Sequence, residues 1–318
     1  MESTMDKPFF SVVLPCYNRE AYLARAIKSV LQQTFQSWEL IIVDDGSTDD
    51  SVRIARSFEE RDARINLRIQ GKNLERCISR NNGIDEAKGR YICFLDSDDY
   101  HLPMHLQRLY DFIQSKDFKV GMFFTNSWNE YPDGEREART CPPFEEYDSF
   151  TYFLRFTVNP QRWAVHHEVL NQVRFDPEVT ICEDMDTSLR IAAASFPIYH
   201  LKERTTIYFA APDSFTHGAS DKWSRELFNL KRIFSKALLK GKLPLKEKKR
   251  LLSMCYFFLS QGAFREGKWI KTWIHGLRSF FLFPEGYNGR TNRSLFVSLL
   301  LSLPFVREMN QLRKRPNG

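Results

Sequence analysis

Asp96, Asp98 and Asp99 fall within four consecutive positions, directly after the apolar run Tyr91-Ile92-Cys93-Phe94-Leu95. Three carboxylates this close repel one another unless something cationic lies between them, and a divalent metal is the simplest such group. Hard oxygen donors suit Mg²⁺ or Mn²⁺, which take one or two protein carboxylates and complete their shell with phosphate oxygens and water. The plain alternative is a solvated acidic turn ahead of a helix opening at Pro103, and an Asp-x-Asp taken alone does not separate the two. A second acidic pair, Asp44-Asp45, follows Leu40-Ile41-Ile42-Val43. A carboxylate there can accept the imino hydrogen of a uracil or a ribose hydroxyl, or it can shape a helix-capping turn. Arg80, in Ser79-Arg80-Asn81-Asn82-Gly83, carries a fork of donors suited to a diphosphate, although a lone arginine near a helix start is also an ordinary surface residue. Glu183-Asp184 offers a further acid pair, whose everyday role would be to favour a helix dipole.

These groups must be positioned by something, and the first half of the chain alternates short apolar runs with helix-period segments, the pattern of βα units around a mainly parallel sheet. Phe10 to Leu14 is an unbroken apolar run ended by Pro15, which reads as a buried strand. Tyr22, Leu23, Ala26, Ile27, Val30 and Leu31 then recur at helical spacing. Leu40 to Val43 is the next strand, with Gly46 permitting a tight turn and Ser47 or Thr48 placed to cap a helix through about Glu60. Ile65 to Ile69 reads as a third strand, Asn82 to Ala87 as a helix, and Tyr91 to Leu95 as a fourth strand. Strand, acidic loop and helix thus occur twice, at Asp44 and at Asp96. In parallel α/β sheets the carboxyl ends of strands share an edge, so both acidic loops are expected at one crevice. From Val120 to Phe209 the pattern is less regular, with strands at Met122 to Thr125 and Ile198 to Leu201 and a helix from about Met185 to Ala194. Beyond Ser220 strand signals vanish. Leu227 to Leu239, Lys248 to Ser260 and Trp269 to Phe283 read as helices, and Leu295 to Val306 is strongly apolar.

Four motifs, in this order and spacing, resemble family 2 glycosyltransferases of GT-A fold: Pro15-Cys16-Tyr17-Asn18, Ile42-Val43-Asp44-Asp45-Gly46-Ser47-Thr48-Asp49, Ser79-Arg80-Asn81-Asn82-Gly83 and Phe94-Leu95-Asp96-Ser97-Asp98-Asp99. The resemblance covers roughly Phe9 to Phe215 and leaves the C-terminal third outside it. It implies a Rossmann-like, mainly parallel sheet flanked by helices, and a catalytic domain over residues 1–219. The nucleotide-binding half would span about 9–115 and the acceptor half about 116–219, with a helical basic extension over 220–318. It implies that the loop carrying Pro15, Tyr17, Asn18 and Glu20, together with Asp44 and Asp45, holds the nucleoside of the donor, with Arg80 at its diphosphate. Asp96 and Ser97 would contact the donor, and Asp96, Asp98 and Asp99 would hold Mn²⁺ or Mg²⁺. Glu183-Asp184 matches the family's later acid pair in position and in its preceding Phe175-Asp176-Pro177, and Asp184 would be the base. The chemistry asks for such a group, since an acceptor hydroxyl displacing a diphosphate must lose its proton. His217, in Asp213-Ser214-Phe215-Thr216-His217, falls where many members close a polar loop over the donor; it is a candidate metal or diphosphate ligand, or a surface histidine. Arg162, Trp163, His166 and His167 are candidates for lining the acceptor side, or for the core. The implied partners are a nucleotide-sugar donor, most simply UDP-linked, and a hydroxyl of a glycan or lipid-linked oligosaccharide, with inversion in a hexosyltransferase-type reaction of polysaccharide or cell-envelope biosynthesis.

The bulk properties agree with a globular cytoplasmic chain. It has 318 residues, 42% of them hydrophobic, enough for one large α/β domain plus an appendage. Phe9 to Cys16 is too short for a signal peptide before Asn18-Arg19-Glu20 interrupts it. The six cysteines are scattered, with no C-x-x-C pair, which fits reduced thiols better than zinc or a disulfide framework. The net charge of +6 hides an asymmetry: residues 1–219 carry 25 Lys+Arg against 34 Asp+Glu, and residues 220–318 carry 21 against 6. No apolar run reaches the ~20 residues of a bilayer span. Basic amphipathic helices of this kind can lie peripherally on the inner, anionic face of the cytoplasmic membrane, or pack on the catalytic domain and expose their cations. No nucleic-acid-binding motif accompanies the basic charge. Two other functions fit parts of the pattern. A nucleotidyltransferase would want glycines in the first loop, which Pro15-Cys16-Tyr17-Asn18-Arg19-Glu20 lacks; a catalytically silent sugar-nucleotide or glycan-binding subunit would not need Asp184.

Overall fold

All of Phe10–Leu14 and all of Trp38–Asp44 is buried, so these strands carry apolar side chains on both faces and can only lie inside a sheet covered on both sides. They are β1 (Phe10–Cys16) and β2 (Trp38–Asp44) of the computed structural model, which describes residues 7–212 and 222–283. Between them runs α1 (Leu23–Leu31), which buries Leu23, Ala26, Ile27 and Val30 at i, i+3, i+4 and i+7. Next come α2 (Ser51–Glu59), β3 (Ile65–Ile69), α3 (Arg76–Glu86), β4 (Tyr91–Phe94), β5 (Tyr100–His101) and α4 (His105–Gln114). The second half holds β6 (Met122–Glu130), β7 (Arg136–Arg139), α5 (Ser149–Arg155), β8 (Trp163–His166), α6 (His167–Gln172), α7 (Glu183–Ala193) and β9 (Ile198–Phe209).

The strands form one sheet in the order β3-β2-β1-β4-β8-β6-β9-β5, with β7 added to β6. β1 to β4 run parallel, β8 is antiparallel to both its neighbours, and β6 and β9 are parallel again. This is the mixed, mainly parallel α/β architecture expected from the alternation of the first half. Register pairs Cys16 with Asp44 and Val13 with Phe94, so the chain leaves β1, β2 and β4 at one edge. The Asp44 and Asp96 loops therefore open on the same crevice, as the strand-and-loop alternation predicts.

Several local expectations shift. Neither Ser47 nor Thr48 caps α2, which begins at Ser51 behind Asp50; the Ser47 hydroxyl instead accepts the Asn18 N–H at 3.0 Å. The helix expected from Asn82 starts at Arg76, which puts Arg80 inside it rather than ahead of it. Gly83 of that helix lies so close to β1 that a Cβ would strike the Val13 side chain, which explains a glycine in a helix interior. β9 runs twelve residues to Phe209 where only its first four are apolar enough to be foreseen.

The chain divides into two compact units, Met1–Gly218 and Ala219–Gly318. The second contains α8 (Lys222–Ser235), α9 (Leu245–Arg265) and α10 (Trp269–Leu282). α9 and α10 run antiparallel. Ser253 and Ser279 exchange hydroxyl-to-carbonyl bonds of 2.9 Å each, and Ser260 donates to the Thr272 carbonyl at 2.8 Å. Buried Thr272, Gly276 and Ser279 form the small-residue seam that permits this approach. Among the described residues no helix is long and apolar enough to cross a membrane. The apolar stretch Leu295 to Val306 lies outside the described residues.

Candidate active site

The first wall of the crevice is a seam between two loops. Asn18, at φ 51°, accepts the Thr48 N–H on Oδ1 at 2.8 Å. Glu20 accepts the Asp50 N–H at 2.9 Å, while the Glu20 N–H reaches Asp49 at 3.0 Å. Asp44 accepts the Gly46 and Ser47 N–H groups at 3.1 Å each, closing the turn that Gly46 permits at φ 79°. Of the residues expected at a nucleotide, Asn18 Oδ1, one Glu20 oxygen and Asp44 Oδ2 thus shape the loops, while Asp44 Oδ1 is buried with no partner among the described residues. Pro15 is half-buried and Tyr17 is 42% exposed on the rim. Asp45 is buried and takes the Leu74 N–H at 2.7 Å and the Gln70 amide at 2.8 Å, both on Oδ1, so Oδ2 stays outside those bonds. Desolvation holds the Asp45 carboxyl above its ordinary value, against the hydrogen bonds it accepts.

The Asp96–Asp99 loop separates three carboxylates that look alike in sequence. Asp96 and Asp98 are partly exposed, with side-chain exposures of 30% and 19%. Asp99 is turned inward: it is buried, Oδ1 accepts the Phe209 N–H at 2.8 Å, and Oδ2 has no protein partner. Burial, and then the charges of Asp98 and Asp96, push its carboxyl well up. Asp99 therefore fastens the loop to the end of β9 in this arrangement rather than facing the crevice, which corrects its candidacy as a third metal ligand. Ser97 is buried. Among the described residues no three His, Cys, Asp or Glu side chains gather as a metal cluster. Two oxygen donors with the remaining shell open to phosphate and water fit Mg²⁺ or Mn²⁺, and do not fit a closed zinc site. His217 lies outside the described residues.

The second acid pair meets the first through an arginine. Arg80 is 2% exposed; Nη2 donates to Asp96 Oδ1 at 2.7 Å and Nη1 to Glu183 Oε1 at 2.9 Å. Desolvation opposes its charge, and the two carboxylates outweigh it. Its guanidinium lies 5.2 Å from the Phe175 ring centroid. Arg76, one turn earlier on the same helix face, reaches Glu183 at 3.6 Å. Sequence reasoning missed Arg76, although its i,i+4 spacing from Arg80 was there to be read. Glu183 is thus clamped by two cations. Asp184 has, among the described residues, only the Met185 N–H at 2.7 Å on Oδ1. Desolvation, then the Glu183 charge, pushes its carboxyl up to about 7, against that hydrogen bond and the pull of Arg80 and Arg139. α7 starts behind Cys182 in the left-handed region at φ 64°, the bend that presents both acids.

Arg162, Trp163 and His166 do not line an accessible surface. Arg162 and Trp163 are 0% exposed, and the Trp163 indole donates to the Val158 carbonyl at 2.9 Å. His166 is buried edge-on against Tyr91, while His167 opens α6 and is half-buried. These residues belong to the core around β8, because Ile92 and Cys93 pair with Val165 and Ala164 across the sheet.

Comparison with known proteins places this geometry in context. The glycosyl transferase family 2 profile matches residues 11–174. The putative teichuronic acid biosynthesis glycosyltransferase TuaG of Bacillus subtilis is 30% identical, over 68% of this chain and 84% of its own length. An uncharacterized glycosyltransferase of Haemophilus influenzae is 40% identical over 34% of this chain, a match spanning 44% of that relative. Among solved structures, S. aureus TarS 1-349 in complex with UDP-GlcNAc superimposes with a TM-score of 0.59 at 17% identity, covering 87% of this chain and 84% of that one. The mannosyltransferase PcManGT of Pyrobaculum calidifontis, in complex with GDP-Man and Mn²⁺, gives 0.56 at 16% identity over 96% and 84%. These likenesses show the fold.

Proposed function

This chain belongs to glycosyl transferase family 2 and is an enzyme of the glycosyltransferase class, and we propose that it moves a sugar from a UDP-linked donor onto a hydroxyl of a glycan or lipid-linked acceptor with inversion. The observation that carries this reading is the Arg80 bridge. It ties Asp96, at the loop expected to hold the diphosphate, to Glu183, next to a carboxylate poised near neutrality. Nucleotide-sugar complexes of fold neighbours support the donor class, UDP-GlcNAc in one case and GDP-Man with Mn²⁺ in another.

In the proposed reaction Asp45 Oδ2 and the Tyr17 rim receive the nucleoside, and Arg80 meets the diphosphate. Asp98 and Asp96 would hold the divalent ion, which when bound supplies charge stabilisation at the leaving oxygens. Asp184 takes the proton of the acceptor hydroxyl as the new bond forms at the anomeric carbon and the bond to the diphosphate oxygen breaks. Attack from the side opposite the diphosphate inverts that carbon. Glu183, clamped by Arg80 and Arg76, orients the N-terminus of α7 and raises the affinity of Asp184 for a proton. A panel of UDP-, GDP- and TDP-sugars, scored by nucleotide release with and without Mn²⁺, tests the reading; release indifferent to both nucleotide and metal would overturn it.

A pH dependence follows from Asp184. Its ionised form is the active one, so kcat at saturating donor should rise with pH through about 7 and then level. A rate flat from pH 5.5 to 8.5 would separate Asp184 from the proton transfer. The second unit supports peripheral attachment to an anionic membrane at the inner face of the cytoplasmic membrane. On α10, Ile270, Ile274 and Phe281 are 79%, 43% and 75% exposed at helical spacing, with Lys268, Lys271 and Arg278 beside them. The full chain should sediment with phosphatidylglycerol-containing vesicles and stay in the supernatant with phosphatidylcholine alone; equal partition would remove the electrostatic attachment.

A further inference from the structure

β7 ends on a guanidinium that forms no ion pair among the described residues. Arg139 is half-buried, 5.9 Å from the Tyr208 ring centroid, and among the described residues no carboxylate comes within ion-pair distance of it. The other arginines along the crevice are paired: Arg19 with Asp98 at 3.7 Å, Arg25 with Glu130 at 3.8 Å, and Arg136 with Glu130 at 2.7 Å. The nearest acid on its own strand, Glu137, accepts the Tyr131 hydroxyl at 2.9 Å instead.

A second uncompensated cation lies close by. Arg162 is fully buried and donates to the carbonyls of Thr125 at 2.6 Å and Thr157 at 3.1 Å, and to Asn126 Oδ1 and Cys141 Sγ at 3.4 Å each; none of these is a carboxylate. Desolvation, and the nearby charge of Arg139, both work against the charged form of Arg162. Buried charges are ordinarily paired, because water no longer screens or solvates them. A fully buried guanidinium behind a half-buried one makes a positive field beside a low-dielectric wall, where it is felt more strongly than in bulk water. Arg162 cannot be touched from outside, but Arg139 can. The Tyr208 ring beside it precedes Phe209, whose N–H holds Asp99 of the acidic loop, so the Arg139 guanidinium stands beside the end of β9 that borders the crevice.

We propose that Arg139, backed by the buried charge of Arg162 and flanked by the Tyr208 ring, is an anion subsite for the acceptor. The acceptor would carry a carboxylate or phosphate on, or next to, the sugar ring that offers its hydroxyl. The guanidinium fork matches either group with two parallel N–H bonds, and an aromatic face beside it suits the apolar side of a pyranose. This rests on Asp184 being the base of the proposed function. It sets the substrate class by charge rather than by ring stereochemistry.

The test uses the full chain saturated with UDP and Mn²⁺, so that the donor site is filled, and ligand-observed NMR titration of three probes: methyl β-D-glucuronide, D-glucose 6-phosphate and methyl β-D-glucoside. At least one anion should bind about tenfold or more tightly than the neutral sugar, the worth of one charge-assisted bond. Which anion wins tells a uronate from a phosphate. Arg139→Gln should erase the preference with UDP affinity unchanged, and Arg139→Lys should restore part of it. Equal binding of neutral and anionic probes, a preference that survives Arg139→Gln, or a loss that falls equally on all three would overturn the proposal; the last would make Arg139 a partner of Asp184 instead. Binding by none of the probes counts against it as well. Failure of UDP itself to bind would overturn the donor-site reading instead.

Discussion

Asp184→Asn is expected to bind the UDP-sugar donor with near-unchanged affinity and to transfer sugar about 10²- to 10⁴-fold more slowly, the usual worth of a positioned general base. Asparagine keeps the shape and keeps an oxygen for the Met185 N–H that Asp184 Oδ1 now accepts. It cannot take a proton. The neighbouring Glu183 does not stand in for it, because Arg80 and Arg76 hold its carboxylate at 2.9 and 3.6 Å and so fix it away from an acceptor hydroxyl. Donor affinity by calorimetry and turnover by nucleotide release, measured on the same preparation, separate the two roles. Turnover close to wild type would remove Asp184 as the base.

Asp98→Ala is expected to abolish the metal-dependent part of donor binding, a loss of about a hundredfold or more for a ligand that neutralises a diphosphate-bound cation. Asp98 is the cleaner choice of the two exposed carboxylates. Its side-chain partner is Arg19 at 3.7 Å, and both groups are about four-fifths covered with water still in reach. Truncating Asp96 would instead strip the buried Arg80 of its partner at 2.7 Å and confound binding with stability. Titration of UDP with Mn²⁺ and again with EDTA checks the prediction. An affinity that falls equally in both conditions, or does not fall, would take Asp98 out of the metal site.

The sequence carried the sheet edge well and the side-chain roles unevenly. Asp44 and Asp96 could be set at one crevice because each follows an apolar run, and burial of whole strands leaves few other arrangements. Asp99 could not be told from Asp96 and Asp98, since what turns it inward is the N–H of Phe209, 110 residues away in the chain. Arg80 looked like a surface residue because the helix holding it starts at Arg76, with few apolar residues to announce it. β8 and β7 were illegible for opposite reasons. Trp163 and His166 are types that also line sugar sites, and Arg136-Glu137-Ala138-Arg139 is an edge strand whose charges face solvent, where no period of two in hydropathy appears. Arg139 is hidden by that same composition, and only the missing partner singles it out.

The Arg80 bridge also bears on how this molecule can change over generations. A lone substitution at Asp96 or Glu183 leaves the buried Arg80 guanidinium with one carboxylate in place of two, a destabilising change in a domain held by only ~5–15 kcal/mol. Change at these three positions is thus coupled, and lineages descended from this chain should tend to inherit them as a block. Arg139 has no such tie, so an exchange there leaves the fold's ledger of charge pairs untouched. On the proposed reading, new acceptor preferences would arise by single steps on the hairpin while the donor side stays fixed.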